Sequence, residues 1–75
     1  MQKTCVDFNI PYIFLRPDYK IFILIFTKIE NGVFFYKLFS KENCWFGYRN
    51  KNIVESWINL QYLKKASNED ILWWL

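Results

Sequence analysis

Asn31-Gly32 separates two runs of β-branched and aromatic residues, KIFILIFTKI at 20–29 and VFFYKLFS at 33–40. A two-residue hairpin loop needs positive φ at both central positions, and Asn-Gly is the pair that accepts this most readily. The pair therefore predicts an antiparallel hairpin closing on Glu30 opposite Val33. Side chains alternate with a period of two, so that register assigns every residue to a face. Ile21, Ile23, Ile25, Thr27 and Ile29 fall beside Phe34, Tyr36 and Leu38 on an almost wholly apolar face, which is expected to take a helix. Phe22, Leu24, Phe26, Phe35 and Phe39 fall on the other face, interleaved with Lys20, Lys28, Lys37 and Lys41. A third strand at 44–49, reached through the loop at 41–43, adds Trp45 and Arg49 to this second face if the loop has three residues.

The rest of the chain is read around that hairpin. Pro11 restricts the apolar run IPYIFL at 10–15 to an edge strand or an extended arm, and Pro17 with Asp18 suits a turn at 16–19. After the third strand the period changes. Ile53, Val54, Trp57, Ile58, Leu60 and Tyr62 make a broad apolar arc, and Asn52 with Glu55 forms a capping-box pattern, predicting a helix over 52–66. SNED at 67–70 predicts a second cap, opening a short helix or turn that carries Trp73 and Trp74. No repeat or linker interrupts the 75 residues, so residues 1–75 are expected to form one domain. The expected fold is α+β: a small antiparallel β-meander of three or four strands with one main C-terminal α-helix packed on one face.

A chain this short buries about 60% of its unfolded surface, and many domains of the size need a staple. Here aromatic residues, 23% of the chain, supply bulk instead. The two cysteines, Cys5 and Cys44, allow at most one bridge, and no secretory-type segment precedes them. An intracellular, reducing compartment is the expectation, either a bacterial host's cytoplasm or an organelle matrix. IFILIF at 21–26 and ILWWL at 71–75 are both too short to span a bilayer, so no membrane span is expected.

Catalytic chemistry has little to draw on. With no histidine and no Cys-x-x-Cys pair, neither a structural metal nor a cofactor is expected, and the commonest general base is missing. Cys44, at the start of a strand, is expected to be a small buried thiol. Glu69 and Asp70 are the adjacent pair among the seven carboxylates, and helix capping accounts for them. Gly32 belongs to the turn, and Gly47 is expected at a bulge or a site of close packing. The chain is therefore expected not to be an enzyme.

Two readings of the Phe/Lys face remain. In one, the N-terminal arm and the tryptophan tail fold over it while the lysines project past to water. In the other it is an open platform, larger than a monomer tolerates without a partner. Trp45, Phe35, Tyr48 and Arg49 are residue types enriched at protein–protein hot spots, whereas rings with cations on a sheet also suit single-stranded nucleic acid. The net charge of +3 is a weak footprint for a nucleic-acid binder.

The expected function is a non-enzymatic binding module acting by protein–protein interaction, of the small inhibitor or immunity (anti-defence) type. Gly, Ala, Arg and Pro together number seven, while Ile, Lys, Asn, Phe and Tyr abound, as in the AT-rich genome of a phage or mobile element. The partner-binding candidates are Phe22, Phe26, Phe35, Lys37, Phe39, Trp45, Arg49, Trp73 and Trp74. The alternative is a small basic nucleic-acid-associated subunit, such as an organellar ribosomal or other ribonucleoprotein component, using Lys20, Lys28, Lys37, Lys41 and Arg49 on phosphates. A homodimer that pairs the Phe ladder with its own copy is the third class.

Overall fold

A computed structural model describes residues 6–16 and 20–74. Its elements, in chain order, are β1 (Pro11–Leu15), β2 (Ile21–Glu30), β3 (Val33–Phe39), β4 (Cys44–Asn50), α1 (Lys51–Asn59), β5 (Leu63–Lys65) and α2 (Asn68–Trp74). The fold is α+β, with a five-stranded antiparallel sheet in the order β4-β3-β2-β1-β5 and both helices packed on it. β1 to β4 form the expected four-stranded meander, and β5, reached through α1, adds a fifth strand. β5 pairs outside β1, so the Pro11 strand lies inside the sheet rather than at its edge, and the carbonyl of Pro11 accepts from the amide of Ala66. The predicted turn residues Pro17 and Asp18, and Cys5, lie outside the described residues.

The hairpin closes as its turn predicts. Asn31 and Gly32 have φ of 51° and 74°, and Glu30 faces Val33. The faces do not follow from this register alone, because the pairing shifts between Phe26 and Lys28. Phe26 faces Tyr36 and Lys28 faces Phe35, which leaves Thr27 as the extra residue of a β-bulge. One unpaired residue reverses the parity of everything on its far side. Phe22, Leu24 and Phe26 therefore share a face with Phe34, Tyr36 and Leu38, and the isoleucines 21, 23 and 25 turn to the other side. The expected Phe22–Phe39 ladder is corrected accordingly. Its first half is core. The Thr27 hydroxyl donates to the carbonyl of Phe35 at 3.3 Å, and the Phe26 carbonyl accepts from the amide of Asn9 at 2.8 Å, so polar groups around the bulge are bonded.

The bulge collects the large rings on one face. Phe26, with 0% of its surface exposed, meets Tyr12, Phe34 and Tyr36 edge-on at centroid distances of 5.6, 5.7 and 6.3 Å. α1 closes this layer with Val54, which is fully buried, and with Trp57, whose ring lies 4.7 Å from Phe14 and 6.0 Å from Tyr36. The segment before β1 covers the bulged end, where Phe8 stacks on Phe34 and the Asp7 amide donates to the Tyr12 hydroxyl.

α1 is shorter than its apolar arc predicts. Its cap lies two residues earlier, with the Asn50 side chain rather than that of Asn52 accepting, here from the amide of Ile53 at 3.0 Å. It stops at Asn59 because Gln61 adopts φ of 62°, the left-handed conformation of a Schellman ending. The amides of Tyr62 and Gln61 return to the carbonyls of Trp57 and Ile58, as that motif requires. The chain can then lay Leu63 beside Phe14 in the core and pair as β5. The predicted helix over 52–66 is corrected to α1 plus β5.

α2 follows its signal. The Ser67 hydroxyl accepts from the Asp70 amide at 3.1 Å and the Asp70 carboxylate accepts from the Ser67 amide at 3.0 Å, a reciprocal cap. α2 lies on the sheet face opposite α1, where Ile71 and Trp74 line a groove with Pro11, Ile23, Ile25 and Phe39.

Candidate functional site

α2 covers the β1–β2 side of the second face and meets β3 at Phe39. The β3–β4 side is open and carries Phe35, Lys37 and Phe39 from β3 and Cys44, Phe46 and Tyr48 from β4. Gly47 explains why. It sits opposite Tyr36 on the core face, where an added Cβ would come within 2.7 Å of the Tyr36 ring. With Gly47 turned inward against that ring, strand alternation sends Phe46 and Tyr48 outward. They are 79% and 64% exposed. The close-packing expectation for Gly47 holds, with its consequence for its neighbours.

The open side has a definite arrangement. Phe35 and Tyr48 lie across the strands at 6.0 Å between ring centroids. Lys28 Nζ stands 4.9 Å from the Phe35 ring centre and also pairs with Glu30 at 3.3 Å. Lys37 Nζ stands 5.7 Å from the centre of the Phe46 ring opposite it. The lysines thus lie over the rings rather than beside them. The surface is aromatic with cationic tips, and Cys44 at its border is exposed rather than buried as expected.

The predicted binding residues do not form one surface. Phe22 and Phe26 are in the core beneath α1. Phe35 and Lys37 are on the open side, and Phe39 lies at its boundary against the groove of α2. Trp45 and Arg49 face the α1 side: Trp45 meets Phe22 at 6.1 Å beyond the cover of the helix, and Arg49 donates to the Tyr48 carbonyl at 2.7 Å. Their expected place on the Phe/Lys face is corrected by the register of β4, which follows a loop of four residues rather than three. Trp73 is exposed on α2, while Trp74 donates to the Ile21 carbonyl at 3.5 Å. Phe46, the most exposed ring among the described residues, is the residue that sequence reasoning missed. The signal that finds it is the glycine beside it.

Among the described residues two ionisable groups, Lys65 and Asp70, are displaced from their ordinary behaviour, both outside this surface. A hydrogen bond and then charge attraction from Asp7 raise Lys65, and hydrogen bonds from the amide and then the hydroxyl of Ser67 lower Asp70. Among the described residues no group of three or more His, Cys, Asp or Glu side chains is placed to hold a metal ion, and no helix is long and apolar enough to cross a membrane.

Comparison with protein-family models, with curated proteins and with solved structures finds no match to this chain.

Proposed function

We propose that the chain is a non-enzymatic binding module that acts by covering a surface of a protein partner with the open β3–β4 side of its sheet. The observation that carries this reading is the pair of exposed rings Phe46 and Tyr48, with half-buried Phe35 beside Tyr48, built on strands and left uncovered by α2. Rings held on a sheet lose little conformational freedom on binding, which is why such residues dominate interface energetics. Occlusion is the mode of action open to a module of this size, and it is the mode of the inhibitor and immunity type.

The placement of the cations favours a protein over a nucleic acid. Lys28 and Lys37 occupy positions over the Phe35 and Phe46 rings where a base would stack, and Lys28 is also paired with Glu30. Arg49 lies on the opposite side of the sheet, so the basic residues do not track one backbone path.

The test compares wild type with Phe46→Ser/Tyr48→Ser in affinity capture from the source cells, followed by titration of the captured partner. Loss of a protein partner with at least about a tenfold drop in affinity is expected, the cost of removing one or two hot-spot rings. The affinity should change only a few-fold as salt rises. A steep log–log decline with salt, about 0.9 per phosphate contacted on duplex DNA, would instead assign the surface to nucleic acid.

A further inference from the structure

The two edges of the sheet are built differently. β5 is three residues long and ends in Lys64 and Lys65, the short, charged form that discourages another strand from joining. β4 is seven residues long, CWFGYRN, and pairs with β3 through seven consecutive partners without a bulge. It contains no proline and no lysine, and all its residues except Gly47 are exposed. Its outer edge therefore lacks the short, lysine-tipped form of its opposite number, and the Arg49 side chain is bonded to its backbone.

The hydrogen-bonding direction along β4 follows from the turns. The two-residue loop closes on Glu30 and Val33, so alternate residues of β3 from Val33 onward bond to β2, and Phe34, Tyr36 and Leu38 bond to β4. The bond from the Ser40 amide to the Asn43 carbonyl, 2.9 Å, continues the same alternation at the other end. Arg49, Gly47 and Trp45 are then the residues of β4 whose backbone faces inward. The amides of Cys44, Phe46, Tyr48 and Asn50 and the carbonyls of Cys44, Phe46 and Tyr48 point out of the sheet, the Tyr48 carbonyl accepting from the Arg49 guanidinium, which a joining strand must displace; the carbonyl of Asn50, the N-cap, belongs to α1.

We propose that β4 pairs antiparallel with β4 of a second copy, with Gly47 on the two-fold axis, to make one continuous ten-stranded sheet. Gly47 is the midpoint of the strand, so this register overlaps all seven residues of each copy. It brings outward-bonding residues opposite outward-bonding residues, Phe46 against the partner's Tyr48 and Cys44 against the partner's Asn50. It sets Trp45 against the partner's Arg49 twice, an aromatic–cation pair in each case. Shifting the strands until Arg49 meets the partner's Arg49 would oppose like charges. The two-fold runs perpendicular to the sheet, so the open surfaces of the two chains adjoin and the helices α1 share the other side. The dimer depends on the backbone of the edge and not on the partner-binding reading of the open face.

The test uses full-length chains joined chemically at Cys44, with and without a single N-methyl group on the Phe46 amide. That group blocks an outward hydrogen bond while leaving every side chain in place. Sedimentation velocity should show wild type moving from the 9.3 kDa monomer to twice that mass as concentration rises, and the folded N-methyl chain remaining at 9.3 kDa. Disulfide trapping checks the register. In a chain whose native cysteines are replaced by serine, Trp45→Cys/Arg49→Cys should oxidise to a covalent dimer. Four residues of strand, about 13 Å, separate the two positions within one chain, too far for an internal bridge of about 7 Å or less. A wild type that stays monomeric at millimolar concentration overturns the proposal, as does a dimer that survives N-methylation or fails to cross-link. Retention of partner binding by the N-methyl chain would leave the open-face reading standing independently.

Discussion

The molecule holds two aromatic clusters of similar composition with opposite fates. Phe26, Phe34 and Tyr36 interlock beneath α1 and its Trp57, whereas Phe35, Phe46 and Tyr48 stand on the reverse of the sheet with no helix over them. Phe34 and Phe35 are neighbours in sequence, yet one is 3% exposed in the core and the other supports a lysine at the surface. Hydrophobicity does not separate them. Strand parity and the reach of the covering helix do, so an exposed aromatic surface can be made from core-like residues by leaving half a face uncovered.

The largest test of that contrast is to truncate one ring from each cluster. Phe26→Ala should lose about 3–5 kcal/mol in urea unfolding, because it opens a cavity among Tyr12, Phe34 and Tyr36. Phe46→Ser should stay within about 0.5 kcal/mol of wild type. Comparable losses in both variants would break the distinction between core and open surface.

Gly47→Ala carries the argument to a single methyl group. The new Cβ would press on the Tyr36 ring, which is held by Phe26 and Trp57, and the expected cost is about 1–3 kcal/mol by thermal or urea unfolding. A neutral result would mean that Gly47 does not force its neighbours outward. Gln61→Gly should act in the other direction. Relieving the left-handed residue that ends α1 should stabilise the chain by up to about 1 kcal/mol, and a loss would place the end of the helix elsewhere.

The smallest effects come from titration, and they separate the two sides of the sheet by pH. Asp70 has its pKa lowered in the folded chain, so its contribution is present above the unfolded carboxylate range and is lost as pH falls through the folded value. Lys65 has its pKa raised, so its pairing with Asp7 is fully present below the unfolded lysine value and is lost as pH rises through the folded one. NMR titration should therefore show the Asp70 carboxylate keeping its charge to lower pH than an ordinary aspartate and the Lys65 ammonium keeping its proton to higher pH than an ordinary lysine. Ser67→Ala should return Asp70 toward its ordinary range. An unchanged Asp70 titration in that variant would remove the cap as the cause.

Several elements were legible because their determinants are local. Asn31-Gly32 specifies its turn through two backbone conformations, and Ser67 to Asp70 specifies its cap through side chains three residues apart. The candidate surface was half legible: Phe35 and Lys37 belong to it, but Phe22 and Phe26 do not, and Phe46 was overlooked. The error traces to Thr27, whose type does not announce a bulge.

By itself, then, the sequence determined an aromatic α+β chain with a hairpin at Asn31-Gly32 and a capped C-terminal helix, since neighbouring residues suffice for each. Only the tertiary structure decided that Thr27 drops out of register, that α1 yields to β5 at Gln61, and that α2 reaches no farther across the sheet than Phe39 at the end of β3. Those outcomes depend on which distant apolar groups share a buried layer. In a strand with a two-residue period, one unpaired residue is enough to exchange core for surface.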